Sequence, residues 1–310
     1  MDNKLIVSSS PHISSPVKTK NLMIDVIIAL IPAFIASIIL YGYRSIIIVA
    51  VSVAAAVLAE FVCRKIMKRP NTIGDFSAVV TGVLLAFNLP VSIPIWMAAL
   101  GSIIAIVVVK QMFGGLGNNF VNPALAARII LMTSFPTAMT SWTAAFDGTS
   151  TATPLAMISG GQTSDLPSYL DMFLGKTGGC LGETCALALL IGGIYLVARR
   201  VISPIIPLVY IAVVFVFSAI LGLDPVAQIL SGGLFLGAIF MATDYVTSPL
   251  TNKGKVIYAI GCGIITVMIR TFGSLPEGVS FSIILMNILV PHIERLTTPK
   301  PFGVKKEAAK

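Results

Sequence analysis

Residues 22–63 read LMIDVIIALIPAFIASIILYGYRSIIIVAVSVAAAVLAEFVC. Two apolar runs, Leu22–Tyr41 and Ser45–Cys63, are separated only by Gly42-Tyr43-Arg44. About 20 consecutive apolar residues cross the hydrocarbon core of a bilayer. Each run has close to that length, so this stretch predicts two adjacent transmembrane helices.

The rest of the chain repeats the pattern. Further apolar runs are Phe76–Leu89, Ile93–Val109, Phe120–Met132, Leu181–Ala198, Val201–Leu221, Val226–Ala242, Val256–Ile269 and Val279–Ile293. The 310 residues are 56% hydrophobic and only 11% charged, with mean hydropathy +0.95. A water-facing surface needs roughly twice that charge. The fold class expected is therefore an all-α integral membrane protein of about ten transmembrane helices. Runs shorter than a full span fit broken helices buried against protein. The polar start Met1–Lys20 has no apolar h-region, so a cleaved secretory signal is not expected.

A repeat is visible at an offset of about 160 residues. Gly101, Lys110 and Phe113-Gly114 answer Gly261, Arg270 and Phe272-Gly273, and Pro90 answers Pro249. Each half then carries five crossings, an odd number, so the second half begins on the opposite side of the membrane. That arrangement is an inverted repeat, common among transporters. It divides the chain into a segment 1–21, a first repeat 22–132, a connection 133–180, a second repeat 181–294 and a tail 295–310. Lys18, Lys20, Arg64, Lys65, Lys68, Arg69, Arg199, Arg200, Lys253, Lys255 and the tail all fall on one side. The positive-inside rule makes that side cytoplasmic, with both termini, and turns the connection outward. The same topology explains the net charge of +8, so nucleic acid is not an expected partner.

The connection holds the most polar stretch of the interior, SWTAAFDGTSTATPLAMISGGQTSDLPS (residues 141–168). By composition alone this is an exposed loop. Its segment Asp147-Gly148-Thr149-Ser150-Thr151-Ala152-Thr153 resembles the sequence recognised by the bacterial flavin transferase, Thr151 standing where that pattern commonly has Gly. The resemblance implies FMN joined through its phosphate to the hydroxyl of Thr153, with Asp147, Ser150 and Ala152 as recognition residues.

Three further stretches extend the likeness: residues 110–124 (KQMFGGLGNNFVNPA), 177–184 (TGGCLGET) and 240–249 (FMATDYVTSP). With the opening Ser8-Ser9-Ser10-Pro11-His12, they resemble the D subunit of the Rnf complex and the B subunit of the sodium-pumping NADH:quinone reductase. That B subunit carries a longer N-terminal extension, so the Rnf D family is the closer likeness. The resemblance implies a urea-transporter-like membrane fold in the bacterial inner membrane. It further implies an electron-transfer subunit, not catalytic alone, of a complex that couples ferredoxin oxidation and NAD reduction to Na⁺ or H⁺ translocation. The cofactors implied are covalent FMN and a non-covalent riboflavin. The partners implied are membrane subunits A and E, flavoprotein G, soluble subunits B and C, and the flavin transferase.

The glycine segment has two readings. Gly114, Gly115 and Gly117 form a broken-helix connector, with the following Asn capping the next helix. Alternatively, Gly114, Gly115, Asn118 and Asn119 line a flavin or ion site at a half-helix end. Among ionisable residues in or beside the runs, Asp25, Glu183 and Asp244 are the candidates for an ion path. Lys110 and Arg270 lie at run ends, where snorkelling to the interface is expected. Cys63, Cys180, Cys185 and Cys262 show no metal-ligand spacing, and no metal site is expected. A solute channel or secondary transporter is the competing class, because the fold serves both.

Overall fold

A computed structural model describes residues 18–146, 149, 151–160, 166–273 and 277–299. Asp147 and Ser150 lie outside the described residues, as do Ser8–His12 and the C-terminal tail from residue 300 onward. The described residues form helices and connecting turns without a strand, and an isolated bridge pairs Pro90 with Cys180.

The opening stretch folds as α1 (Thr19–Tyr41) and α2 (Tyr43–Ile66), joined by Gly42 alone. Gly42 has φ 73°, and open space surrounds it, so its backbone freedom rather than a close contact makes the reversal. The remaining long elements are α13 (Asn252–Phe272) and α14 (Val279–Thr297). These four helices are long and apolar enough to cross a membrane. Their outward faces carry exposed Ile35, Ile39, Leu58 and Ile288, a surface suited to lipid.

Shorter apolar helices pack among them: α3 (Ser77–Phe87), α4 (Ile95–Ile104, continued by a π-helical turn to Gln111), α5 (Pro123–Ser134), α9 (Ala186–Ala198) and α10 (Ile205–Ile220). Three small helices punctuate the connection: α6 (Pro136–Met139), α7 (Pro154–Ser159) and α8 (Tyr169–Leu174). The predicted run Val226–Ala242 is not one helix. It splits into α11 (Pro225–Leu230) and α12 (Leu234–Leu236), the latter continued by a π-helical segment to Met241. The break falls at Ser231-Gly232-Gly233, with Gly232 at φ 66°.

Helix α2 packs on α3 and α4, and α10 packs on α11 and α13; α1 meets α9, and α5 meets α14. Hydrogen bonds repeat the same reciprocity. Arg128 on α5 donates to Asn88 Oδ1 (2.7 Å) and to Ser280 Oγ at the start of α14 (3.1 Å). Asn287 on α14, its amide nitrogen donating to Thr247 O (3.1 Å), accepts from Asn122 N at the start of α5 (3.2 Å). Arg128 and Asn287 are 159 residues apart, as are Asn88 and Thr247.

Snorkelling fails for both Lys110 and Arg270, which are buried. Lys110 Nζ donates to Glu60 Oε2 (3.0 Å) and Ser77 Oγ (2.6 Å). Glu60 Oε1 also accepts from Gln111 Nε2 (3.0 Å) and Thr72 Oγ1 (2.7 Å), which completes the network. Arg270 donates to Gln228 O (2.6 Å) and Ser231 O (3.1 Å), carbonyls left open where α11 ends. Lys110 thus neutralises a buried carboxylate on α2, whereas Arg270 satisfies backbone carbonyls at the end of α11 that would otherwise have no partner.

Candidate functional site

Thr153 opens α7, with Pro154 at the first helical position. Its Oγ1 accepts from Ala156 N at 3.2 Å, which leaves the hydroxyl hydrogen free. Thr153 is half-buried, and Ala152 beside it is exposed. The loop before it is pinned through its backbone: Phe146 N donates to Leu40 O (3.0 Å), Ala144 N to Thr149 O (2.7 Å) and Thr151 N to Trp142 O (3.1 Å). A small-residue approach to a partly free hydroxyl suits phosphoryl attachment. At the far end of the connection, Tyr169 Oη donates to Asp224 Oδ2 (2.6 Å), tying α8 to α11. Partial burial works to raise the Asp224 carboxyl. The Tyr169 hydroxyl and the N–H groups of Ala227 and Val226 outweigh that effect and hold it below its ordinary value.

Thr153 stands at the rim of a cavity of about 20 Å³ that reaches Glu183, Thr184 and Glu277. Beneath it lies a buried cluster centred on Arg128, whose guanidinium contacts Glu277 and lies 3.4 Å from Cys180 Sγ and 3.8 Å from Glu183 Oε2. Burial pushes the Glu277 carboxyl up, against the pull of the Arg128 charge. Burial also drives the Cys180 thiol well up, and the neighbouring Glu183 adds to the rise. Cys180, Glu183 and Glu277 lie near enough to share an ion, but the Arg128 guanidinium reaches all three.

The segment 177–184 has a structural task. Leu181 N donates to Leu89 O and Gly182 N to Phe87 O, both at 3.0 Å, which closes the C-terminal end of α3. A Cβ on Gly182 would lie 2.2 Å from the Phe87 ring, so only glycine lets the two segments meet.

A second cavity of about 90 Å³ is lined by Ser77, Lys110, Asn119, Asn122, Thr243 and Asp244, among others. Of the four residues expected there, Asn119 lines it; Gly114, Gly115 and Asn118 do not. Gly114 and Asn118 pack on each other, and the Arg64 guanidinium packs against Gly115. Asn122 caps α5, accepting from Ala124 N (3.0 Å) and Leu125 N (3.3 Å). The connector reading therefore holds for most of the segment.

The three ion-path candidates are not brought together. Asp25 accepts from Tyr195 Oη (2.9 Å) and pairs with Arg199 (3.5 Å), bridging α1 to α9. Asp244 closes its own turn through Thr247 Oγ1 (3.2 Å). Glu183 belongs to the Arg128 cluster. Sequence reasoning missed Glu277, Asn88 and the Glu60–Lys110 pair as partners.

Fold and site together define a helical membrane protein whose elements interlock around a buried arginine, with a hydroxyl-bearing loop beside it. The chain belongs to the NQR2, RnfD, RnfE family, whose description matches residues 6–303. It is 51% identical over 311 residues to the D subunit of the Na(+)-translocating ferredoxin:NAD(+) oxidoreductase complex of Acetobacterium woodii, covering 98% of both chains. It is 40% identical over 326 residues to the D subunit of the proton-translocating ferredoxin:NAD(+) oxidoreductase complex of Clostridium ljungdahlii, again covering 98% of both. With the D subunit of the ion-translocating oxidoreductase complex of Stutzerimonas stutzeri the identity is 38% over 327 residues, covering 91% of both.

Proposed function

We propose that this chain is the D subunit of an Rnf-type complex and passes electrons through FMN joined to Thr153. The observation that carries the reading is the position of Thr153: a partly free hydroxyl at the start of α7, in a chain that aligns over 98% of its length with a D subunit. The bound flavin supplies one- and two-electron chemistry. The protein's own work is placement. The backbone bonds of Phe146, Ala144 and Thr151 fix the loop on the end of α1, and α7 fixes the direction in which Thr153 projects. The Arg128 cluster sets the charge beneath it.

The same reading includes two inverted five-helix halves, with cytoplasmic termini and the connection 133–180 outside. Its support is the reciprocal pairing of Arg128 with Ser280 and of Asn287 with Asn122. It also includes coupling to Na⁺ or H⁺ movement, docking to membrane subunits A and E, and electron exchange with flavoprotein G and soluble subunits B and C. A flavin transferase matures the chain. A non-covalent riboflavin is assigned to the inner cavity, where Asn119, Asn122 and Asp244 offer amide and carboxylate partners to the ring's carbonyl and N–H groups. A solute channel is disfavoured because a channel has no use for a flavin-attachment sequence.

Co-expression with a flavin transferase tests the attachment. The denatured chain is expected to fluoresce under ultraviolet light on a gel, and Thr153→Val is expected to be dark. A dark wild-type band, or a fluorescent Thr153→Val band, overturns the assignment.

A further inference from the structure

One carboxylate oxygen in the cluster is left over. The Glu183 side chain is 3% exposed. Its Oε1 accepts from Cys180 N (3.3 Å), but Oε2 has no hydrogen-bond partner among the described residues. The hydroxyl of Thr184, also buried, is likewise without one. Both residues line the cavity whose rim carries Thr153. Its volume of about 20 Å³ suits a single water-sized occupant. Glycine keeps that space open, since a Cβ on Gly233 would stand 2.4 Å from Glu183 Oε2.

The charges decide what occupant fits. Arg128 contacts Glu277 and stands 3.8 Å from Glu183 Oε2, and Arg270 ends on Gln228 and on Ser231 O at the cavity wall. Among the described residues, Arg128 faces both carboxyl groups and Arg270 stands at the wall, so the formal charges of these four side chains balance. Attachment of FMN at Thr153, on which this inference rests, adds one phosphodiester negative charge at the rim. An uncompensated charge away from water is costly. We propose that the cavity beneath Thr153 binds one Na⁺ ion, through Glu183 Oε2 and Thr184 Oγ1, once the phosphodiester is in place. Carboxylate and hydroxyl oxygens are the donors that hard cations take.

The test uses the full chain in nanodiscs, made with and without a flavin transferase. Gel fluorescence reports attachment, and thermal unfolding is followed in NaCl, KCl and choline chloride at equal ionic strength, at two pH values. The flavin-bearing chain is expected to melt higher in NaCl, with a saturable dependence on Na⁺ at both pH values. Glu183→Gln and Thr184→Val are expected to fluoresce but to melt alike in all three salts, as is the chain without flavin. A fluorescent wild-type chain that ignores Na⁺, or a Glu183→Gln chain that still responds, overturns the cation site alone. A response that follows pH and not Na⁺ assigns the charge to a proton and overturns it too. Absence of fluorescence in the wild type removes the attachment, and the cation site with it.

Discussion

Arg128→Leu is expected to leave the chain unable to accumulate as a monodisperse species, measured by size exclusion of the detergent-solubilised protein. The arginine contacts Glu277 and Cys180, stands near Glu183, and donates to Asn88 and Ser280, all from one buried guanidinium. Leucine would fill part of the volume and leave two buried carboxylates facing each other. Removing one partner of a buried ion pair costs about 3–5 kcal/mol, a large share of the roughly 5–15 kcal/mol of a typical native state. Arg128→Lys is expected to rescue only partly. A lysine ammonium is a point charge on a flexible stem, without the planar fork that reaches Asn88, Ser280 and Glu277 together. Adding Glu183→Gln and Glu277→Gln to Arg128→Leu is expected to restore part of the yield, because the like charges are then gone. Full yield of Arg128→Leu alone would mean that the cluster does not hold the two halves together.

The second large effect is expected at Lys110→Met. Glu60 is fully buried, and its two oxygens are shared by Lys110, Gln111 and Thr72. Methionine matches the lysine stem but removes the only cation paired with Glu60 among the described residues. The expected loss is again about 3–5 kcal/mol, read as a fall in the unfolding midpoint. The double variant Lys110→Met/Glu60→Gln is expected to recover most of it, since replacing both members of a buried pair is often nearly neutral. If the single and double variants melt alike, the pair contributes nothing specific to this packing.

These two positions also mark where sequence reasoning stopped short. Hydropathy located every long helix, because lipid imposes one requirement over about 20 residues. At an offset of 159 residues, close to the one read in the sequence, Arg128 with Asn88 and Asn287 with Thr247 form buried polar pairs. Run position was the weaker guide. It misplaced Lys110 and Arg270 because run-end cations usually reach water. Here Lys110 meets a buried carboxylate on α2 and Arg270 meets the open carbonyls where α11 breaks, partners that periodicity does not reveal. The break at Ser231–Gly233 was invisible for a related reason, since glycine and leucine keep the run apolar whether or not it stays helical. Of the outer site, Thr153 was legible only through its resemblance to a modification sequence, composition giving no more than a loop. Glu277 was not legible at all, because it comes to Arg128 from 149 residues away.

The central claim is that one oxygen, Thr153 Oγ1, carries the flavin. Tandem mass spectrometry of the chain matured with a flavin transferase tests it most directly. The account predicts that the peptide containing residues 151–160 gains the mass of FMN less one water, with fragment ions placing the adduct on Thr153. An adduct on Thr149 or Thr151, or an unmodified peptide from a fluorescent chain, would contradict it.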